Sequence, residues 1–316
     1  MPERDGYVPG VPCWVDVSEP DPEAALDFYG ALFSWEFEDL MPASSDGRYF
    51  IARGDAPGSS IFDTSRAVRS GDVAAVRSIP EAGPQMAMWN TYFWVDSADE
   101  ATSKVRDAGG GTLTKPFDFM DAARVAAFTD LEGAAFAIWE ANEHKGARLV
   151  NDPGAVVFNN LNTRDVEAAK SFYGSVFGWQ TGSIGGGAEG WTLPGYGDWL
   201  ERTHHPGLRS QMAEAGAPQG FEDVVGSIVP MADDQPDTPA HWSVTFATDD
   251  ADATAAKATE LGGTVIVPPF DAPWSTPTYT IRITVIADPQ GATFSASKFL
   301  ARNTEPGSQG NAAVSS

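Results

Sequence analysis

Histidine is scarce in this sequence, so its positions limit the chemistry open to the chain. The four histidines are His144, His204, His205 and His241. His204 and His205 follow Asp198 and Glu201 in the run GDWLERTHH, which is the best local source of metal ligands or acid–base groups. Adjacent side chains of a strand point to opposite faces, so joint action by the two histidines requires a loop. The alternative is a loop pair that makes only structural hydrogen bonds.

A carboxylate among tryptophans is the second chemical candidate. Residues 11–18 (VPCWVDVS) alternate, which predicts a half-buried strand with Trp14, Asp16 and Ser18 on one face. A carboxylate in such surroundings is desolvated and could act as a general acid or base. The alternative is an aspartate whose hydrogen bonds are satisfied by neighbouring strands.

The elements that position these residues occur twice. The run DPEAALDFYGALFSW (21–35) returns 144 positions later as DVEAAKSFYGSVFGW (165–179). Asp21 and Asp165 predict helix N-caps, and the apolar residues that follow recur at three-and-four spacing. A match this dense indicates an internal duplication.

Each half repeats one order of elements. An aromatic strand at 87–95 precedes a capped helix at 97–108, which glycines end, and three further strands at 111–117, 123–129 and 134–140. The second half shows the matching strands at 156–163 and 242–248 and a helix at 250–261. Residues 63–85 predict a lid-like loop or short helix, and the largest insertion of the second half is 197–240, with a helix at 206–215.

Composition excludes several classes of protein. With 316 residues and 42% hydrophobic content, the chain can bury two cores. A net charge of −24 argues against nucleic acid and anionic membranes as partners. The single cysteine, Cys13, allows neither an intrachain disulfide nor a thiolate zinc cluster. No apolar run reaches the roughly 18 residues of a membrane span, and the first residues lack a signal-peptide pattern, so we expect a cytoplasmic protein.

The doubled DPEAALDFYG motif, the glycine-ended helices and a D-x-x-G before each last strand resemble the vicinal oxygen chelate superfamily of glyoxalase I, extradiol dioxygenases and bleomycin-resistance proteins. The tandem arrangement is similar to actinobacterial glyoxalase-like proteins with two such domains in one chain. The resemblance implies an α+β fold of two tandem domains, each with two βαβββ modules that form a curved, mostly antiparallel sheet around a pocket. The expected parts are a first domain at 1–145 (modules at about 10–62 and 87–141), a second at 146–300 (modules at about 155–232 and 241–299) and a disordered tail at 301–316.

Enzymes of that superfamily hold a divalent metal with His or Glu from the first, fifth and eighth strands of a domain. The resemblance places these positions at Trp14, Asn90 and Ala137 in the first half and at Phe158, Ser243 and Ser295 in the second. None of the six residues offers an imidazole or a carboxylate. We therefore expect no metal cofactor at these positions.

The residues that alternate with these positions are expected to line the concave faces, where an apolar pocket with a few polar groups is typical of a small-molecule site. The candidate ligand-binding residues are Trp14, Asn90, Tyr92, Trp94, Trp139, Phe158, Asn160, Ser243, Ser295 and His241, with Asp16 as the catalytic candidate. The sequence predicts a glyoxalase-like protein that binds a small hydrophobic or aromatic metabolite without a metal.

Several alternatives remain open. The protein could sequester an antibiotic as resistance-type relatives do, or transform its ligand as a lyase, cyclase or hydroxylase-type enzyme. It could also be a metal-dependent lyase or dioxygenase with relocated ligands. The duplication is compatible with a monomer, and a homodimer is the alternative.

Overall fold

The two halves of the sequence form two curved sheets of eight strands each. The computed structural model describes residues 5–56, 69–79, 85–232, 237–273, 275 and 279–301. Each sheet consists of two βαβββ modules. This confirms the expected α+β fold of tandem vicinal-oxygen-chelate domains. The tail beyond residue 301, which was expected to be disordered, lies outside the described residues.

The first sheet has the strand order β2-β3-β4-β1-β5-β8-β7-β6, so the two modules meet where β1 pairs antiparallel with β5. Its strands are β1 (Pro12–Glu19), β2 (Glu36–Asp39), β3 (Tyr49–Ala56), β4 (Arg69–Ser78), β5 (Met88–Trp94), β6 (Gly111–Phe119), β7 (Ala123–Thr129) and β8 (Ala135–Ala141). Its helices are α1 (Pro22–Phe33) and α2 (Ala98–Asp107).

The second sheet repeats this order as β10-β11-β12-β9-β13-β16-β15-β14. Its strands are β9 (Val156–Thr163), β10 (Gln180–Gly185), β11 (Ala188–Thr192), β12 (Val224–Pro230), β13 (His241–Ala247), β14 (Thr264–Asp271), β15 (Tyr279–Ala287) and β16 (Thr293–Ala301). Its helices are α3 (Val166–Phe177), α4 (Tyr196–Thr203), α5 (Leu208–Glu214) and α6 (Ala251–Glu260), with a 3₁₀ turn at Phe221–Asp223. The helices α4 and α5 and this turn occupy the predicted insertion.

The prediction of a lid-like loop or short helix at 63–85 is wrong for the described part of that range, because Arg69–Ser78 form strand β4. The run Val73, Ala74, Ala75 and Val76 is fully buried. Strand β4 pairs parallel with β1 and antiparallel with β3, which places it inside the sheet. A strand buried on both faces shows a continuous apolar run instead of alternation, and here polar residues on either side obscured it. The sequence also predicts a short strand at 58–62, and this range lies outside the described residues.

The repeated helices α1 and α3 begin as the motif predicts. The Asp21 carboxylate accepts a hydrogen bond from the Ala24 amide at 3.1 Å, and Asp165 accepts one from Ala168 at 2.9 Å. These caps satisfy amides that an unprotected first turn would leave without partners. Both helices thus start at a fixed residue and present one buried face.

That buried face joins the two halves of the protein. The Tyr29 hydroxyl of α1 donates to Asp288 of the second half at 2.9 Å, and the Tyr173 hydroxyl of α3 donates to Asp130 of the first half at 3.0 Å. Each tyrosine oxygen also accepts from an indole, Trp89 at 3.1 Å and Trp242 at 2.8 Å, respectively. The repeated Phe-Tyr-Gly and Asp-x-x-Gly motifs are therefore two ends of one contact, made twice across the interface.

The glycine pairs that end α2 and α6 serve the same interface. A Cβ added to Gly110 would lie 2.9 Å from the Phe172 ring, and one added to Gly263 would lie 3.1 Å from the Phe28 ring. These rings come from the helix of the opposite half. Glycine allows the close approach that a side chain would block.

Among the described residues, no helix is long and apolar enough to cross a membrane.

Candidate functional site

The concave face of the second sheet encloses a cavity of about 480 Å³. Its floor comes from strands β9, β12, β13, β15 and β16. Its volume lies within the range of small-molecule sites, roughly 300–1,000 Å³. The predicted ligand-binding residues among its lining are Phe158, Asn160, Ser243 and Ser295.

The floor of this cavity carries a ladder of neutral polar side chains. The Asn160 amide donates to Thr245 Oγ1 at 2.9 Å, and its carbonyl accepts from Ser227 at 2.6 Å. The Asn162 amide donates to Ser243 Oγ at 3.0 Å. Strand register explains this clustering, because Ser243 lies opposite Asn160 and Thr245 lies opposite both Phe158 and Ser295 on the neighbouring strands. Amides and hydroxyls can both donate and accept hydrogen bonds, so the floor suits a neutral ligand with several oxygens.

The insertion of the second half covers the cavity as a lid, defined here as α4, α5 and the 3₁₀ turn at Phe221–Asp223. Its apolar side chains Tyr196, Leu200, Met212 and Phe221 face the cavity. Arg209 fixes the three parts together, with nitrogen–oxygen distances of 2.7 Å to Asp198, 2.9 Å to Glu201 and 3.0 Å to Glu222. Its hydrogen bond to Glu222, ahead of those to the other two carboxylates, raises the pKa of Arg209, which therefore stays charged.

The wall beside the lid comes from the first half and from the segment between the halves. Tyr7, Val11 and Val150 line the cavity. The Tyr7 hydroxyl donates to the Ala147 carbonyl at 2.6 Å, and its ring packs against Trp94 with centroids 6.0 Å apart. The predicted residue Trp94 thus lies behind Tyr7 and outside the cavity lining. The site of the second half is complete only with residues from the first.

The first sheet places the predicted residue Asp16 in a different setting. Its side chain is fully buried. Its Oδ2 accepts from the Tyr92 hydroxyl at 2.7 Å and from Tyr49 at 3.4 Å, while Oδ1 accepts from the Asn90 amide at 2.8 Å and lies 3.4 Å from Arg77 Nε. Burial, together with the neighbouring Asp16 charge, raises the pKa of Tyr92 and of Tyr49, so both hydroxyls remain protonated donors. Both carboxylate oxygens are therefore held by protein groups, and the side chain has no open side towards a ligand.

The tryptophans predicted beside Asp16 form a packed cluster. Trp14 and Trp139 are each 2% exposed, with ring centroids 6.4 Å apart. The His144 ring packs edge-on against both, with its centroid 4.5 Å from that of Trp14 and 5.5 Å from that of Trp139. His144 lies in the linker between the halves, where the sequence predicts a solvated loop residue, and this prediction is wrong. His144 Nδ1 accepts from the Gly146 amide and Nε2 lies 3.4 Å from Asp72, so both ring nitrogens face protein groups.

The side chains at the six positions where the superfamily's enzymes bind metal are unsuited to a cation. Phe158, Ser243 and Ser295 line the second cavity, whereas Trp14, Ala137 and Asn90 lie in the first sheet. Indole, phenyl and methyl groups cannot coordinate a cation, and the amide and hydroxyls present no charge. These residues do not fit the family's metal. Within the described ranges, no group of three or more His, Cys, Asp and Glu side chains is arranged to hold a metal ion.

The remaining histidines lie apart from the cavity floor. His205 Nε2 contacts Gln211 Oε1 at 2.8 Å, and His204 packs edge-on against Trp199 with centroids 4.6 Å apart. Both are buried within the lid, while the nearby Asp198 and Glu201 are paired with Arg209. His241 lies at the start of β13, where Nδ1 contacts the Pro239 carbonyl at 2.9 Å. None of the three is part of the cavity lining.

Sequence reasoning missed Arg77 and Tyr49, and it predicted the insertion at 197–240 but not its position over the cavity. Arg77 lies in strand β4, inside the range that was interpreted as a loop, so its alignment with Asp16 could not be inferred. The apolar run at 73–76 was the signal that could have identified this strand. The lid helices lacked a counterpart in the first half, so the duplication gave no guide to their position.

Comparisons with known proteins agree with this architecture. The sequence profile of the Glyoxalase/Bleomycin resistance protein/Dioxygenase superfamily matches residues 14–138 and 154–295. The chain is 36% identical over 302 residues to the Mycobacterium tuberculosis protein named "Putative glyoxylase CFP32", covering 94% of this chain and 98% of that protein. It is 32% identical over 292 residues to "Anthracycline biosynthesis protein DnrV" of Streptomyces peucetius, covering 92% of this chain and 93% of that protein.

Among solved structures, the Mn(II)-bound glyoxalase from Novosphingobium aromaticivorans superposes with a TM-score of 0.53, covering 93% of this chain and 85% of that one. At 14% identity this likeness shows the fold alone. The profile and the full-length relatives agree with the repeated modules and the two curved sheets on the family of this protein. The chain belongs to the Glyoxalase/Bleomycin resistance protein/Dioxygenase superfamily.

Proposed function

We propose that the cavity of the second half binds a small, flat, largely apolar metabolite through neutral hydrogen bonds, without a metal at the family's ligand positions. One observation carries this proposal. The cavity occupies the concave face, yet Phe158, Ser243 and Ser295 stand where relatives bind metal. A ligand there meets an aromatic ring and hydroxyls in place of a cation.

The lining supports binding more than proton transfer. The polar groups of the floor are amides and hydroxyls, which do not titrate near neutral pH. Two charged residues, Glu222 and Lys298, also line the cavity. Glu222 pairs with Arg209 at 3.0 Å and Lys298 lies 3.5 Å from Asp249, so each has a protein counter-charge. Sequestration or presentation of a ligand, as in a resistance-type protein, fits this lining better than general acid–base catalysis.

The ligand class follows from shape and chemistry. An apolar lid and a polar floor form a slot that suits a fused aromatic system with oxygens along one edge. The relative from Streptomyces peucetius is named for anthracycline biosynthesis, and anthracyclines contain such a ring system. We therefore propose a polycyclic aromatic ketone or phenol as the ligand.

The test is a calorimetric titration with a dihydroxyanthraquinone. Ser295→Phe places a ring in the cavity, and Ala137→Phe places the same ring at the equivalent point of the first sheet. We expect Ser295→Phe to weaken binding at least ten-fold and Ala137→Phe to leave it unchanged. Because an added ring can strain a core, Ser243→Ala with Ser295→Ala serves as a second variant that removes hydroxyls without adding volume. Equal binding by the wild type and these second-half variants would overturn the proposal.

A further inference from the structure

The two concave faces carry different chemistry at equivalent positions. Asp16 lies opposite Ala75 in the first sheet, and Asn160 lies opposite Ser227 in the second. Arg77 follows Ala75 by two residues and Val229 follows Ser227 by two residues, so Arg77 and Val229 occupy equivalent positions. The first face thus contains an ion pair, Asp16 with Arg77, where the second contains an amide and an aliphatic side chain. Duplicated domains that differ in this way are suited to different ligands.

The geometry of Arg77 leaves one end of its guanidinium directed outward. Its Nε donates to Ser18 Oγ at 2.8 Å and lies 3.4 Å from Asp16 Oδ1. Since the Nε edge faces these two residues, the two Nη groups form the outer end of the side chain. The side chain is 43% exposed although its partner Asp16 is fully buried. The arginine therefore connects the buried network to the surface of the concave face.

The residues beneath Arg77 hold it in place. Tyr92, Tyr49 and Asn90 all donate to Asp16, and Asn90 also donates to Ser18 at 2.9 Å. A carboxylate fixed by several donors presents a rigid counter-charge to the Nε edge. The orientation of the guanidinium is thus set before any ligand arrives, which lowers the entropy lost on binding.

We propose that the concave face of the first sheet is a second, separate binding site, in which Arg77 recognises a small organic monocarboxylate. The two Nη groups match the geometry of a carboxylate and can bind both of its oxygens. One arginine supplies one charge, and a chain with a net charge of −24 disfavours multiply charged anions. This site does not depend on the function proposed for the second half.

The test is a ligand-observed NMR titration with benzoate, with benzamide as the uncharged analogue. We expect saturable binding of benzoate, and at least ten-fold weaker binding of benzamide. Asp16→Asn combined with Arg77→Val copies the pair found in the second half, so no buried charge is left without a partner. This double variant should weaken benzoate binding at least ten-fold, and Arg77→Lys should weaken it less.

Two controls separate this site from the cavity of the second half. Arg124→Gln removes another arginine of the first half, one that pairs with Asp118 and Asp99 at the surface, and should leave benzoate binding unchanged. Ser295→Phe should also leave it unchanged, while Asp16→Asn with Arg77→Val should not alter dihydroxyanthraquinone binding. The proposal is overturned if benzoate shows no saturable binding, if benzamide binds equally well, or if the double variant binds benzoate like the wild type.

Discussion

Replacement of Glu19 by glutamine should stabilise the protein, and the gain should grow with pH. Glu19 ends strand β1 at the contact between the halves and is fully buried. Its carboxyl group faces that of Asp288, which can accept a hydrogen bond from Glu19 only when Glu19 is protonated. Burial raises the pKa of Glu19 from 4.5 to about 10, and the hydrogen bond to Asp288 and the negative charges of Asp288 and Asp21 contribute to this rise. The side chain is therefore protonated in the folded protein at neutral pH.

The magnitude follows from linkage. A carboxyl group with a raised pKa binds more protons in the folded state. The contribution of Glu19 to the free energy of unfolding is therefore fully present below pH 4.5 and is lost as pH rises towards about 10. Each pH unit in this window costs about 1.4 kcal/mol. Between pH 4.5 and pH 7 the loss is about 3 kcal/mol, or roughly 5 °C in Tm for a chain of this length. Glutamine cannot ionise, so it removes this loss.

The assay is thermal unfolding of both proteins from pH 4.5 to pH 9, with Glu36→Gln as the control at an exposed position of β2. The Tm difference between Glu19→Gln and the wild type should be small at pH 4.5 and should widen steadily as pH rises. A difference that does not change with pH, or a wild type that is the more stable protein at pH 8, would refute the reasoning. Glu36→Gln should show no such trend.

Two further predictions concern the interface and the lid. Tyr173→Phe should lower the free energy of unfolding by about 1–3 kcal/mol in urea titrations, because Asp130 and Trp242 lose a buried partner. Tyr29→Phe should lower the free energy of unfolding by a similar amount. An unchanged urea midpoint in both variants would contradict the interface assignment. Arg209→Gln removes the three ion pairs that hold the lid together. Stopped-flow measurements should therefore show dihydroxyanthraquinone dissociating several-fold faster. The control Arg202→Gln, at an exposed position, should leave the dissociation rate unchanged. A dissociation rate that Arg209→Gln does not alter would mean that the lid does not retain the ligand.

The fold could be predicted largely because the sequence contains the same motif and the same order of elements twice. Asp21 and Asp165 cap their helices as their sequence context indicates, and the strands that follow recur in the same order. The partner of the repeated helix could not be predicted. Periodicity identifies an apolar face, but it does not say whether that face packs on its own sheet or on that of the other half. The bonds from Tyr29 to Asp288 and from Tyr173 to Asp130 show that it reaches across.

The candidate site was predictable only as far as strand alternation extends. Alternation placed Phe158, Asn160 and Ser243 on the face that encloses the cavity. It could not identify the lid, whose helices come from an insertion, or Tyr7, which reaches the cavity from the start of the chain. Alternation also fails for β4, where Val73–Val76 are all buried, so Arg77 was missed although it lies beside Asp16. The assignment of ligand-binding roles to these residues stays a prediction.

The central claim is that the cavity of the second half binds its ligand without a divalent metal. The measurement that tests it most directly is a calorimetric titration of the purified protein with a dihydroxyanthraquinone, first after removal of metals with a chelator and then with Mn²⁺ or Zn²⁺ restored. The account predicts saturable binding to the metal-free protein, with an affinity that the added metals leave within about two-fold, since the floor offers neutral donors and acceptors and no charged ligands for a cation. Binding that disappears on chelation and returns with the metal would contradict it.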